Sequence, residues 1–222
     1  MLDTDILTIF FTRRKNDMKK LRTILVCTLL LFSVAGCNNK QDLEPLGKCP
    51  VEMQTVTAKD SDKDLSYSFS APTEWMAVSP SAYLVRAYSA KAITKNQDNY
   101  PYVNITNYEK INSLTPREER MKIYKDLFNN KYDDYMKLVE DELSLVDAKP
   151  SEIKFKLYKG EHGKIATIQY TYTDTSKGIT FLVVDCYRED ISYSVYGSAD
   201  IRSKDFNPSK TVPWIIDSLT VK

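Results

Sequence analysis

Histidine and glycine are scarce in this sequence of 222 residues, which contains one histidine and six glycines. The histidine, His162, lies in a polar segment that reads as a hairpin turn, so we expect an exposed surface residue and not a general base. One histidine and few cysteines cannot supply a zinc site or a papain-like pair. A glycine-rich phosphate loop and a nucleophile elbow are also missing from the sequence. No catalytic residue, no metal site and no cofactor are therefore predicted.

Neither sign of charge dominates the chain, which has 31 Lys and Arg residues against 30 Asp and Glu residues. Six of the basic and three of the acidic residues precede Cys37, so the remainder carries 25 positive and 27 negative side chains, a net charge of −2. This balance argues against nucleic acid as a partner and against a polybasic lipid-binding patch. The acidic run Glu140-Asp141-Glu142 lacks the spacing of a calcium loop and is interpreted as solvated.

Long apolar runs are absent except near the N-terminus. There, a short basic segment, residues 18–22, precedes an almost wholly apolar stretch, residues 23–34. This order, in a stretch short for a membrane span, is typical of a secretory signal peptide. The next residues, Val34-Ala35-Gly36-Cys37, make the segment resemble a bacterial lipoprotein signal. The resemblance implies acylation of Cys37, cleavage just before it, and membrane attachment outside the cytoplasm. The alternative is a simple signal peptide in which Cys37 stands by chance.

The chain divides by composition into three parts. Residues 1–36 comprise an upstream extension and the signal peptide, with Met18 as the expected true start. Residues 37–50 form the lipidated cysteine and a polar tether, which we expect to be mobile. Residues 51–222 have the length and the apolar content of one folded domain.

Two cysteines remain once Cys27 is removed with the signal and Cys37 carries lipid. Cys49 and Cys186 form a disulfide candidate, because exported proteins meet an oxidising compartment. The alternative is that Cys186, which lies in a strand pattern, is a buried thiol that packs as a small hydrophobe. The sequence leaves both alternatives open.

The periodicity of the apolar residues predicts a fold that contains both helices and strands. Alternating side chains indicate strands over residues 65–69, 83–88 and 102–108. Thr115-Pro116-Arg117-Glu118 is typical of a capped helix start, and apolar residues then recur at helical spacing as far as Leu143, with Asn129-Asn130 as a potential kink.

After Pro150, apolar residues recur at every second position. Residues 152–158, 164–172, 179–187 and 191–196 are predicted strands joined by short polar turns, which favours an antiparallel meander. A last helix is predicted at 213–218 with Thr211 or Asn207 as its cap, followed by an edge segment at 219–221. The predicted fold class is α+β, with an antiparallel sheet of about six strands flanked by helices.

The spacing Phe69-x-x-Pro72-x-x-Trp75, the helix, the meander and the closing segment 215–221 together resemble the PsbP-like superfamily. This superfamily includes bacterial lipoproteins of the DcrB and LpqN types. The resemblance covers about residues 65–221. It implies an antiparallel sheet with flanking helices, and a binding or assembly role without catalytic residues.

Tyrosine is abundant, with fifteen residues, many of them at predicted strand positions. Tyr170 and Tyr172 share one face of their strand, as do Tyr100 and Tyr102 if that strand begins early. One interpretation is that the tyrosines form cross-strand pairs that stabilise a sheet with one partly solvent-exposed face. The other is that these four residues form an aromatic binding surface, since tyrosine is enriched at protein interfaces.

The sequence therefore predicts a non-enzymatic lipoprotein of the cell envelope. Its predicted partners are the membrane, through the lipid anchor, and an envelope protein whose identity the sequence does not give. The alternative is a surface lipoprotein that binds a small hydrophobic or glycan ligand between sheet and helix, for which a sizeable apolar pocket would be diagnostic.

Overall fold

The computed structural model describes residues 43–60, 65–81, 84–89, 101–110, 115–144 and 148–222. The predicted signal peptide, the lipidation site Cys37 and Tyr100 lie outside these residues. Residues 42–222 belong to one compact unit.

Eight strands form a large sheet in the order β1-β7-β8-β9-β10-β6-β5-β4. Their bounds are Glu44–Pro45 (β1), Trp75–Ser81 (β4), Leu84–Ser89 (β5), Tyr102–Asn107 (β6), Lys154–Lys159 (β7), Lys164–Asp174 (β8), Ile179–Arg188 (β9) and Tyr193–Asp200 (β10). All neighbours pair antiparallel except β1, which runs parallel to β7. The predicted meander is the continuous run β7 to β10, because short turns favour pairing between consecutive strands.

Three further strands form a small sheet in the order β11-β3-β2. Their bounds are Met53–Asp60 (β2), Leu65–Pro72 (β3) and Thr220–Val221 (β11). A tight turn after β3 leads into β4 of the large sheet, and Glu74 in this turn has a left-handed φ of 71°. The segment from Pro72 to Trp75 therefore connects the two sheets and does not end the β structure.

The helices are α1 (Arg117–Leu127), α2 (Asp133–Ser144) and α3 (Val212–Ser218), the last preceded by a short 3-10 turn, Pro208–Lys210. The single long helix of the sequence prediction is two helices, because the chain turns at Asn130, where φ is +59°. The predicted cap is also displaced: Pro116 occupies the N-cap position of α1, with no side-chain cap hydrogen bond. Of the two predicted caps, Thr211 is the N-cap residue of α3, without a side-chain cap hydrogen bond, and Asn207 caps the 3-10 turn.

Each face of the large sheet is covered by a different set of elements. On one face, α3 and the small sheet cover a core that includes Phe69, Val184, Ile215 and Leu219. On the other face, α1 and α2 pack on β7, β8 and β9 in a cluster that includes Leu127, Val139, Ile168 and Val183. The fold class is thus α+β, with more strands in the sheets than the sequence predicts.

The end of the predicted tether lies on the domain. The two residues of β1 pair with Tyr158 and Lys159, and the Leu46 amide donates to the Lys159 carbonyl at 3.0 Å. Leu46 is buried in the core shared with α3. The expectation of a mobile chain up to residue 50 is therefore wrong for the segment from Glu44 onward, because Leu46 offers an apolar side chain that the domain buries.

Candidate functional site

One face of the large sheet carries rows of aromatic side chains that run across the strands. Directly opposed residues of neighbouring strands project from the same side of a sheet. The register therefore aligns one row through Met76, Tyr88, Tyr102, Ser198, Val183 and Tyr170. The next row runs through Val78, Arg86, Asn104, Tyr196, Asp185 and Ile168. We call this side of the sheet the tyrosine face.

Helices cover only part of the tyrosine face. The apolar cluster that α1 and α2 form with the sheet draws on strands β7, β8 and β9, with Tyr196 of β10 packed against it. Among the described residues, that cluster includes no side chain of β4, β5 or β6. The part outside this cluster, which we call the open face, consists of Met76, Val78, Arg86, Tyr88, Tyr102, Asn104 and Phe181, with Tyr172 and Tyr196 where it meets the cluster.

The open face combines accessible apolar groups with ordered aromatic rings. Met76 and Val78 on β4 are 53% and 42% exposed. The rings of Tyr172 and Phe181 stack with centroids 5.4 Å apart.

The Arg86 guanidinium lies 4.7 Å from the centre of the Tyr102 ring and donates from Nε to Asn104 Oδ1 at 2.9 Å. A cation held over an aromatic ring and tied to an amide loses little freedom when a partner arrives.

The structure divides the four tyrosines that the sequence singled out. Tyr102 and Tyr172 are half-buried residues of the open face, and Tyr100 lies outside the described residues. Tyr170 is only 9% exposed and belongs to the cluster beneath α1 and α2, so its assignment to a binding surface is wrong. Its strand continues under the helices, which periodicity along one strand cannot reveal. The sequence pattern does not reveal the accessible apolar residues of β4, because no strand is predicted there.

A buried carboxylate lies between the tyrosine face and helices α1 and α2. Asp185 Oδ2 accepts hydrogen bonds from the hydroxyls of Tyr135 at 2.6 Å and of Tyr187 at 2.7 Å. The Tyr187 ring stacks on Tyr124 of α1 with centroids 4.6 Å apart. Asp185 Oδ1 is buried and has no hydrogen-bond partner among the described residues. These contacts fix α1 and α2 on the sheet through polar as well as apolar groups.

Burial raises the pKa of Asp185 to about 6, although the two tyrosine hydroxyls favour its ionised form. The same burial, together with the nearby Asp185 charge, holds the pKa values of Tyr135 and Tyr187 well above the ordinary value for tyrosine. A carboxyl sealed in this way has no contact with a substrate, so its geometry suits a structural role.

The thiols of Cys49 and Cys186 are both free. Cys186 is buried on β9 beside the hydroxyl of Thr167 at 3.3 Å, and Cys49 Sγ lies 3.7 Å from the Lys210 carbonyl. Burial raises the pKa of both thiols. The disulfide candidate is therefore wrong and the alternative, a buried thiol that packs as a small hydrophobe, describes Cys186.

His162 is exposed in the turn between β7 and β8, as the sequence indicates. Its Nδ1 lies 3.8 Å from Asp217 Oδ1, and ligand atoms of Glu161, His162 and Asp217 lie within 4.8 Å of one another. The Asp217 carboxylate already accepts the backbone N–H groups of Glu161 at 3.1 Å and of His162 at 3.3 Å. This arrangement ties the turn to α3 and accounts for the cluster without a metal ion.

Arg188, which the sequence places at the start of a turn, is buried and structural. Its Nη1 donates to the carbonyls of Ile216 at 2.8 Å and Asp217 at 2.6 Å, near the C-terminal end of α3. Nε donates to Asp190 at 2.6 Å. A buried cation satisfied by helix carbonyls and a carboxylate positions α3 on the sheet.

A groove of about 710 Å³ lies between the last turns of α2 and residues 148–153. Its lining mixes the charged residues Glu140, Lys149 and Glu152 with the apolar residues Met136, Ala148 and Ile153. The space between helices and sheet is instead filled by side chains such as Tyr124, Leu127 and Tyr187. Both this groove and a second one of about 500 Å³, between α1 and the turn that joins β9 to β10, mix charged with apolar side chains, so neither is the apolar pocket that the ligand-binding alternative requires.

Across the described residues, the structure has no helix that is both long and apolar enough to span a membrane. No protein-family model and no curated protein matches the sequence.

Among solved structures, the chain is similar to the solution structure of cyanobacterial PsbP (CyanoP) from Synechocystis sp. PCC 6803. The TM-score is 0.43 and the identity 17%, over 80% of this chain and 99% of that chain. At this TM-score and identity, the likeness assigns neither a family nor a function.

Proposed function

We propose that this chain is a non-enzymatic lipoprotein of the cell envelope, anchored through Cys37, whose domain binds a protein partner on the open face. The observation that carries the proposal is the accessible apolar and aromatic surface of β4, β5 and β6. Single exposed apolar side chains are common on proteins. Here, however, Met76 and Val78 adjoin Tyr88 and Arg86 across the strands, so they form one continuous patch.

The composition of the patch favours a protein over a small molecule. Tyr, Phe, Met and Arg are the residue types enriched in protein interfaces, and the open face contains all four. It extends across several adjoining strands of one sheet. A partner that fits would present apolar side chains, with hydrogen-bond acceptors for the Arg86 guanidinium.

The anchor is tested separately from the open face. Replacing Cys37 with serine removes the thiol that would carry the lipid. We expect the variant to move from the membrane fraction to the soluble fraction and to lose labelling by a fatty-acid analogue. A variant that stays in the membrane and keeps the label would refute the anchor.

The open face is tested by site-specific photo-crosslinking in intact envelopes. A photo-reactive phenylalanine derivative replaces Met76 on β4 or, as the matched control, Glu119, which is exposed on α1. We expect a discrete crosslinked protein from position 76 and none of that size from position 119. Equal crosslinking from both positions would show non-specific proximity and would contradict the proposal.

A further inference from the structure

The first described residues are held on one edge of the large sheet. Glu44 and Pro45 pair with β7, the Leu46 amide donates to Lys159, and the Trp214 indole N–H lies 3.4 Å from the Gly47 carbonyl. The chain therefore leaves the domain at a defined place, beside the last two residues of β7.

The connection from that place to the proposed lipid is short. Six residues lie between Cys37 and Glu44 in the sequence, and the seven Cα–Cα steps that they make span at most about 25 Å when fully extended. The edge of the sheet formed by β1 and β7 is therefore kept near the lipid headgroups, provided that the proposed anchor at Cys37 is correct.

The overall charge balance argues against a polybasic lipid-binding patch, but the local charge along this edge is positive. Residues 149–159 contain four lysines and one glutamate, a local net charge of +3. All four lysines are exposed, and we call them the lysine edge: Lys149, Lys154, Lys156 and Lys159. Lys156 also makes an exposed ion pair with Glu44 at 3.4 Å.

Carboxylates also lie close to the lysine edge: Glu44 pairs with Lys156, and Glu140 and Glu152 line a groove together with Lys149. Phe155 and Leu157 of β7 pack in the cluster with α1 and α2, so Lys154 and Lys156, which alternate with them, project from the opposite side of the sheet. Lysines on an edge strand also discourage pairing with other chains. That role does not account for Lys149, which precedes β7.

We propose that the lysine edge docks on the anionic headgroups of the bilayer that holds the lipid anchor. The sheet then stands with β7 toward the lipid and β4 at the opposite edge. Seven strand spacings separate β1 from β4 in the sheet order, which corresponds to about 33 Å. The open face is thereby presented to a partner well away from the bilayer surface.

The test is lysine acetylation of the full-length lipidated protein in vesicles, followed by mass spectrometry. One vesicle type contains phosphatidylglycerol and phosphatidylcholine, and the other phosphatidylcholine alone. Each lysine near an anionic surface should favour the docked state by a factor of about five. We expect Lys154, Lys156 and Lys159 to react several-fold more slowly in the anionic vesicles. The exposed Lys59 of β2 should react equally in both.

A double variant, Lys154→Gln with Lys156→Gln, provides a matched comparison with Lys59→Gln. We expect Lys159 to lose its protection in the double variant and to keep it in the Lys59 variant. High salt should also abolish the protection, because it screens exposed charges.

Equal labelling of Lys159 in both vesicle types, with the protein attached, would overturn the docking proposal alone. A protein that floats free of both vesicle types would instead overturn the anchor at Cys37, and docking with it.

Discussion

Replacing Asp185 with asparagine neutralises a carboxyl that lies buried between the sheet and α1 and α2. The amide oxygen can still accept the hydrogen bonds that Tyr135 and Tyr187 donate to Oδ2. The amide nitrogen takes the place of Oδ1, which is buried without a partner among the described residues. The substitution thus keeps the shape of the side chain and both hydrogen bonds from the tyrosines, and it removes the titratable group.

The pKa of Asp185 fixes the sign of the pH effect. Its value is about 6 in the folded protein against an ordinary value of 3.8. The folded protein therefore binds this proton more tightly than the unfolded chain does. The stabilisation is complete below pH 3.8 and is lost as the pH rises through 6. A difference of about two pKa units corresponds to about 3 kcal/mol in the free energy of unfolding.

The assay is urea denaturation of wild type and Asp185→Asn at a series of pH values from 4 to 8. Other groups titrate in both proteins, so they largely cancel when the two free energies of unfolding are subtracted. We expect the wild type to lose about 2 kcal/mol relative to the variant between pH 4 and pH 7, because part of the total effect is already lost at pH 4. A difference that stays constant with pH, or that grows in favour of the wild type, would refute the reasoning.

Three further predictions concern packing and the thiols. Trp75→Ala should lower the free energy of unfolding by about 3–5 kcal/mol, because Trp75 is buried against an aromatic ring 4.9 Å away; an unchanged urea midpoint would contradict this. Gly197→Ala should lower the free energy of unfolding by about 1–3 kcal/mol, because a Cβ there would lie 2.5 Å from a side-chain methyl of α3. Gly163→Ala, where the nearest atom to a Cβ is 3.4 Å away, is the milder control in the same denaturation assay. Cys49 should react with a thiol reagent in the native protein and Cys186 only after unfolding; a native protein with no reactive thiol would point to a disulfide.

Sequence pattern predicted the elements that form by local pairing. The meander β7 to β10 follows from alternating side chains and short turns, and its strands match the predicted ranges closely. The final helix was also recognisable, because Thr211 and Pro213 mark its start. In these segments, each element is specified by residues near it in the chain.

Elements that depend on distant partners were missed. β2 pairs with β3, and β4 completes the far edge of the large sheet, but Pro72 and Pro80 make the surrounding sequence look like a loop. The break between α1 and α2 depends on a left-handed residue, Asn130, whose sequence context also suits a continuing helix.

The candidate site was only partly predictable for the same reason. Tyr102 and Tyr172 share a face with Tyr170, as period-two alternation requires. Which end of that face is covered depends on where α1 and α2 pack. The accessible residue Met76 joins the site only through the pairing of β4 with β5.

Binding through the open face is tested most directly by the substitution Val78→Glu. Val78 is 42% exposed and lies opposite Arg86, so a carboxylate there should be tolerated by the fold. The same charge would be buried within the proposed interface. With the photo-reactive group at position 76, we expect the crosslink yield in intact envelopes to fall by about tenfold or more, with an unchanged thermal unfolding midpoint. A stable Val78→Glu protein that crosslinks the same partner as strongly as the parent protein would contradict the account.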